Sequence, residues 1–410
     1  MDLQKNLYKY ANLVIKKALQ IKKDDFLLIN GQVENKDFIC ILAEEAFKAG
    51  AKDVKIKYSD ENFTKLRYKY ASKETLSNVE NYIVDEYDSY IEKGAKVLSL
   101  VGGDPNILSE IDSDKIISSG TARSKALKNF NANLMKNSNS WCVIGAAVKS
   151  WTKVVFPDLD ENEALNKLWE LILYTCRIDN NDPIENWDKH IVNLKKNSEF
   201  LNKEQFDYFE IKTDRGTDLK IGMPENYIFT GASEDNLRSE EFIANMPTEE
   251  VFSAPHKDRV DGIVYNTKAL NLNGVIVDDF FLKFKDGKVV DYDAKIGYEA
   301  LDNLLKSYEN ADRLGEIAFV PYDSPISNTN ILFYNTLFDE NASCHIALGK
   351  AYPSSIKNGE NMSDEELSKN GINDSLTHVD FMIGDGSTEI IGVKKDSSTI
   401  QIFKDGNFVI

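Results

Sequence analysis

Histidine is scarce in this 410-residue chain: there are four, His190, His256, His345 and His378. The four cysteines (Cys40, Cys142, Cys176 and Cys344) stand far apart, and no two have CxxC spacing. That excludes a zinc knuckle and a thioredoxin-type motif. No apolar run approaches the roughly 18 residues that span a bilayer. The first twenty residues lack the basic start, apolar core and small-residue cleavage site of a signal peptide. A few scattered thiols in such a chain point to the cytoplasm. GxGxxG after the first strand, the GxxxxGK phosphate loop, HExxH and GxSxG are all missing. Their absence removes the simplest dinucleotide, nucleotide, zincin and α/β-hydrolase readings. Basic residues are outnumbered 49 to 67, for a formal net charge of -18. Such a chain repels phosphate backbones and anionic lipid, so neither nucleic acid nor a membrane surface is an expected partner.

Hydrophobic residues make up 42% of the chain, enough to fill cores and to argue against disorder. At roughly 150 residues per domain, the length predicts two domains. Leu3, Leu7, Tyr10, Val14, Ala18 and Ile21 fall at helical spacing. A strand at Phe26 to Asn30, a helix near Asp37 to Ala49 closed by Gly50 and a strand at Val54 to Tyr58 make a βαβ unit, which requires parallel strands. Lys96 to Val101 and Trp141 to Ala146 continue the strands. Ser113 to Met135 and Asp160 to Cys176 continue the helices. The polar runs NNDPIENWDKH and KKNSEFLNKE follow, and the boundary is placed near 195–205. Beyond it hairpins dominate. Lys285-Asp286-Gly287-Lys288 and a second Lys-Asp-Gly near the end each sit between alternating runs, and helices are expected only at about 297–309 and 340–350. The expected fold is therefore α/β plus α+β: an N-terminal α/β domain over 1–200 with a mostly parallel sheet, and a C-terminal β-rich domain over 201–410.

Five segments of the second half carry chemistry. In His378-Val379-Asp380, a strand would project imidazole and carboxylate from one face. The same pair reads equally as a buried hydrogen-bonded couple. Glu340 and His345 stand close together after the apolar run Ile331 to Tyr334, at what reads as a strand-to-helix junction. Acidic residues at a helix start are an ordinary feature there. Tyr352 is two turns beyond His345 if that helix persists. Thr248-Glu249-Glu250 follows Asn245-Met246-Pro247, and reads also as a cap with first-turn acids. Glu316 opens an apolar strand, where an edge residue is the plain alternative. Oxygen and imidazole donors without thiolate suit zinc, cobalt or manganese. Spacing alone does not bring the five segments together. His190 and His256 read as ordinary surface or loop histidines.

Several runs, in order from 245 to 384, resemble the signatures of the aminopeptidase T / aminopeptidase S family of metallopeptidases. They are Asn245-Met246-Pro247-Thr248-Glu249-Glu250-Val251-Phe252-Ser253-Ala254-Pro255, Gly315-Glu316 with Asp323-Ser324-Pro325-Ile326-Ser327, Phe333-Tyr334-Asn335-Thr336-Leu337-Phe338-Asp339-Glu340-Asn341-Ala342, His345 with Ala347-Leu348-Gly349-Lys350-Ala351-Tyr352, and His378-Val379-Asp380-Phe381-Met382-Ile383-Gly384. The N-terminal half resembles the family less closely. The resemblance implies an aminopeptidase with two divalent metal ions, a C-terminal catalytic domain, peptide substrates with a free N-terminus and a homodimer. It implies Glu250, Glu316, Glu340, His345, His378 and Asp380 as metal ligands, and Tyr352 as a tyrosine beside them. Glu249 and Glu316 are then the alternatives for the proton-accepting carboxylate. Cys344 departs from the small residue expected there, and is expected to raise sensitivity to oxidation. Another dinuclear hydrolase, such as an amidase or phosphoesterase, and a non-catalytic peptide-binding protein are the competing readings. A phosphoesterase would want basic residues around its site.

Overall fold

The computed structural model describes residues 2–178, 182–272 and 275–410; residues 180 and 181 of the first polar run fall outside them. Two compact units form: Met1–Asp188 with Ser233–Pro247, and Lys189–Ala232 with Thr248–Ile410.

The first unit alternates helix and strand as the βαβ pattern requires. Its elements are α1 (Leu3–Leu13), β1 (Phe26–Gln32), α2 (Lys36–Ala49), β2 (Asp53–Ser59), α3 (Asn81–Glu92), β3 (Lys96–Val101), α4 (Ser113–Ala126), α5 (Lys128–Met135), β4 (Trp141–Gly145) and α6 (Glu161–Thr175). The strands pair in parallel in the order β4-β3-β1-β2, and the short strand Asn245–Met246 extends the sheet beside β4. Alternation along β1 sends side chains to both faces. Leu28 joins Tyr87, Val97, Leu127 and Phe130 in a cluster beneath α3 and α5. In the helical layer formed by α1, α2 and α6, Tyr10 stacks on Phe38 at 5.5 Å and Phe38 meets Trp169 edge-on at 5.4 Å. Burying each such side chain contributes about 1.5–3 kcal/mol.

The polar run that reads as a boundary folds as one helix, α7 (Pro183–Glu204). Trp187, Ile191, Leu194 and Leu201 are its buried stripe. Four apolar positions at helical spacing suffice to anchor it, although polar residues dominate its composition.

The second unit is antiparallel. Its elements run β5 (Tyr208–Lys212), β6 (Asp218–Gly222), β7 (Val251–Ser253), β8 (Val260–Tyr265), β9 (Val275–Lys285), β10 (Lys288–Ile296), α8 (Tyr298–Ser307), β11 (Leu314–Phe319), β12 (His345–Gly349), β13 (His378–Met382), β14 (Glu389–Val393), β15 (Thr399–Lys404) and β16 (Asn407–Phe408). The larger sheet is built on the path β9-β8-β6-β5-β14-β15-β16, with β10 beside β9. Both expected Lys-Asp-Gly hairpins form. Asp286 and Gly287 have φ of 49° and 78°, and Asp405 and Gly406 have 51° and 74°, the pair of positive values a two-residue hairpin needs. The smaller sheet has the order β13-β12-β11-β7, with Thr230–Gly231 at its edge.

Two expected elements are absent. Ile331–Tyr334 is not a strand, because Asp339 takes its amides: the carboxylate accepts from Phe333 N and Asn335 N, each at 2.9 Å. The helix expected at 340–350 is a single 3-10 turn, Glu340–Ala342, followed by β12. All five residues of β12 are buried between β11 and β13. A strand covered on both faces shows no alternation, so an apolar run of this length cannot be told from a helix by its period.

Candidate metal centre

The smaller sheet assembles its face from strand register. Glu316 on β11 lies opposite Ala347 on β12, which lies opposite Asp380 on β13. One step of two residues along, Ala318 lies between Phe252 of β7 and His345 of β12. His378 pairs with Gly349. Residues two apart share a face, so Glu250, Glu316, His345, His378 and Asp380 all project from the same side. Ala318 and Ala347 leave room between them. Two glycines make the edges possible. A Cβ on Gly315 would lie 2.3 Å from Lys350 O, and one on Gly349 (φ +103°) would lie 2.1 Å from Thr377 O. Glu340 comes from the 3-10 turn, and its charge is felt by Asp380, Glu250, His345 and Glu316.

The distances define two adjoining groups of donors. His345 Nε2 is 3.1 Å from Glu250 Oε2 and 3.4 Å from Glu316 Oε1. His378 Nε2 is 3.7 Å from Glu316 Oε2 and 3.2 Å from Asp380 Oδ1. Glu316 thus belongs to both, one oxygen to each imidazole. Within each group, Glu250-Glu316-His345 and Glu316-His378-Asp380, donor atoms lie within 4.8 Å of one another. The far nitrogen of each ring is held by backbone: His378 Nδ1 is 2.6 Å from Lys350 O and His345 Nδ1 3.3 Å from Ser343 O. This leaves both Nε2 atoms aimed at the carboxylates, the orientation that a second partner imposes on metal-binding imidazoles.

Burial sets the electrostatics. Desolvation raises the Glu340 carboxyl well above its usual range, with the Asp380 and Glu250 charges adding to the rise. Glu316 is raised by burial and by Asp380 and Glu250, against the pull of the two imidazoles. Burial opposes the charging of His378, yet Asp380 and Glu316 hold its pKa up at about 10. His345 is likewise raised far above an ordinary imidazole: Glu250 and Glu316 overcome its desolvation. For Asp380 the two imidazoles overcome burial and lower its pKa.

A divalent cation fits this set. Glu250 Oε2, His345 Nε2 and Asp380 Oδ1 are buried and make no hydrogen bond, although each faces another donor at close range. A buried polar atom left so carries a cost that a ligated cation removes. Oxygen and imidazole donors without thiolate are the chemistry of zinc, cobalt and manganese sites.

Five of the expected positions, Glu250, Glu316, His345, His378 and Asp380, fall in the two donor groups; Glu340 is in neither, though it interacts electrostatically with them, and Tyr352 comes near by another route than a helix. Tyr352 follows β12, and its ring lies edge-on to His378 at 5.4 Å and to Phe252 at 5.9 Å. Glu249 is 3% exposed, and its N–H donates to Asn341 Oδ1 at 2.8 Å. His190, read from the sequence as an ordinary histidine, is beside it: Nε2 lies 2.7 Å from Thr248 O and 3.6 Å from Glu249 Oε2. Its place on a polar helix gave no signal. Asn341 was visible only as a neighbour of Glu340; its amide also donates to Leu337 O at 3.0 Å and sits 3.4 Å from Glu340 Oε1. His256 stays outside the centre, packed under Gly371 and accepting from Asp258 N. The surroundings of Cys344 run against the expected sensitivity to oxidation. It is buried, its sulfur is bonded to Val320, and burial pushes the thiol up to about 12.

Three carboxylates and two imidazoles on one sheet face, with Glu340 on the adjoining turn, define a protein built to hold metal ions. Residues 3–408 match the family of thermophilic metalloproteases, M29. The chain is 40% identical over 405 residues to aminopeptidase 2 of Geobacillus stearothermophilus, covering 99% of this chain and 98% of that one. It is 39% identical over 407 residues to aminopeptidase AmpS of Bacillus subtilis, covering 99% of each. The solved structure of wild-type AmpT from Thermus thermophilus superposes with a TM-score of 0.93 at 33% identity, over 99% of this chain and 100% of that one. The chain belongs to the M29 metalloprotease family and is a metallo-aminopeptidase. Among the described residues no helix is long and apolar enough to cross a membrane.

Proposed function

We propose that the enzyme releases N-terminal amino acids from peptides with a centre of two divalent ions, zinc, cobalt or manganese, held by Glu250, Glu316, Glu340, His345, His378 and Asp380. The observation that carries the number two is Glu316, which turns one oxygen to each imidazole. When bound, such ions polarise a scissile carbonyl and acidify water. The protein's own groups do the rest. Glu249, buried, next in sequence to Glu250 and fixed through its backbone by Asn341, accepts the proton of the attacking water and returns it to the leaving amine. His190 keeps that carboxylate in place. Acidic side chains of the same face receive the substrate's free α-ammonium. The hydroxyl of Tyr352 donates to the oxyanion of the tetrahedral adduct. The second unit, Lys189–Ala232 with Thr248–Ile410, is the proposed catalytic domain, and the first its α/β companion. A cytoplasmic homodimer is the proposed working form.

Hydrolysis of a leucine arylamide tests the proposal. Activity is expected to vanish on chelation and return with cobalt or zinc, at a content approaching two ions per chain; a fully active enzyme with one ion would remove the dinuclear centre. Tyr352→Phe is expected to lose about 10²-fold in kcat, the scale of a lost oxyanion donor, while keeping its metal. An unchanged kcat would take the oxyanion role from Tyr352.

A further inference from the structure

Catalysis leaves the first unit without a chemical role, yet that unit has a cavity of about 570 Å³. It lies towards the carboxyl ends of three parallel strands, where Asn30 of β1, Lys57 of β2 and Ser99 of β3 line it. In the sheet β1 and β3 are neighbours, and the connections that follow them run in opposite directions, β1 to β2 on one side and β3 to β4 on the other. Open α/β sheets take ligands in the crevice at such a reversal, because the connections leave the strand ends on opposite sides. The volume is within the range of small-molecule sites, roughly 300–1,000 Å³.

The lining chemistry is unlike the rest of the molecule. In a chain of net charge -18, no aspartate or glutamate among the described residues lines the cavity, and the charged residues that do are Lys57 and Arg123. Lys57 is already neutralised by Glu86 and lies over the ring of Tyr87. Arg123 is not: it donates to Tyr87 Oη at 3.1 Å, and no carboxylate partners it among the described residues. Beside it Tyr87, Leu127 and Phe130 form an apolar wall continuous with the buried cluster under the sheet.

We propose that this cavity binds a small carboxylate with an apolar or aromatic body, its carboxylate on Arg123 and its body on the Tyr87–Phe130 wall. The planar guanidinium fork matches a carboxylate. α4 contributes Gly120, Arg123 and Ser124 from its carboxyl-terminal half, and the start of α5 contributes the apolar side chains of Leu127 and Phe130, which suit an organic body better than a bare phosphate. Asn30 and Ser99 add neutral hydrogen-bonding groups.

Ligand-observed NMR with 3-phenylpropionate and the metal-loaded enzyme tests this. Saturable binding is expected with Kd on the order of 1 mM or tighter. Arg123→Met is expected to weaken it at least about tenfold, as loss of a charged hydrogen bond does, and 3-phenylpropanol, which lacks the carboxylate, should be weaker by a similar factor. Gly120→Trp places a ring where an added Cβ meets nothing within 4 Å, so the helix tolerates it while the cavity fills; binding should be lost. Leucine-arylamide hydrolysis should be unchanged in both variants. Binding that survives both substitutions overturns the proposal. So does binding abolished by Glu316→Gln, which would place the ligand at the catalytic centre. Equal competition by inorganic phosphate, or no saturable binding at all, also overturns it.

Discussion

Glu316→Gln is expected to lower kcat/KM for a leucine arylamide by about 10³-fold or more, with the fold intact. Charge stabilisation by a bound metal is worth several kcal/mol, and each ~1.4 kcal/mol is a factor of ten in rate. Glu316 is where that loss should be greatest, because its two oxygens face both imidazoles. An amide keeps the shape but offers one oxygen and no charge, so metal content should fall with activity. Glu249→Gln separates the two carboxylate roles. Its side chain is not part of either donor group, so this variant should keep its metals and lose about 10²–10⁴-fold, the range of a lost proton acceptor. If instead Glu316→Gln retains both activity and metal, the shared-carboxylate centre is wrong.

Chelation is expected to lower the melting temperature of the second unit by roughly 8–16 °C. A ligand held at about 1,000 times its dissociation constant stabilises by about 4 kcal/mol, and a unit of this size moves about 2–4 °C per kcal/mol. The gap should depend on pH with a definite sign. His345 and His378 have folded-state pKa values raised above those of an unfolded imidazole. Their charge therefore stabilises the metal-free protein fully below about pH 6.5, and that contribution is lost as the pH climbs towards about 10 for His378. Glu316 and Glu340, also raised, act with the same sign: they bind protons more tightly folded than unfolded, so their ionisation as the pH rises costs stability. Asp380, lowered, works the other way and stabilises above its ordinary range. The metal-free enzyme should thus become less stable from pH 7 to 9 while the loaded enzyme changes little, because bound cations take the place of those protons. Calorimetric scans at the two pH values, with and without chelator, decide it. Parallel behaviour of the two forms would mean that the cluster does not bind metal in the folded state.

Local patterns made much of the first unit legible. The βαβ order, the Gly50 helix stop and the strand runs need only neighbouring residues to be specified, and each forms where it is expected. The two Lys-Asp-Gly hairpins formed for the same reason. Failures came where a segment's conformation depends on distant partners. Ile331–Tyr334 is apolar enough for a strand, but Asp339 captures its amides. His345–Gly349 lacks alternation because both its faces are covered. The return of 233–247 to the first unit, through the pairing of Asn245–Met246 with β4, has no local signature at all.

The sequence by itself determined which side chains are available to the centre: four carboxylates and two imidazoles in recognisable runs, with no thiolate among them. It did not bring them within reach of one another. Register did that, by setting Glu316, Ala347 and Asp380 in one row across three strands and His345 one step away. Only the tertiary structure placed His190 beside Glu249 across 59 residues of chain, and turned the nitrogens of His345 and His378 inward by backbone carbonyls. Donor chemistry belongs to single residues and can be read one letter at a time; distance and orientation belong to pairs, and pairs far apart in the chain meet only when the sheet closes.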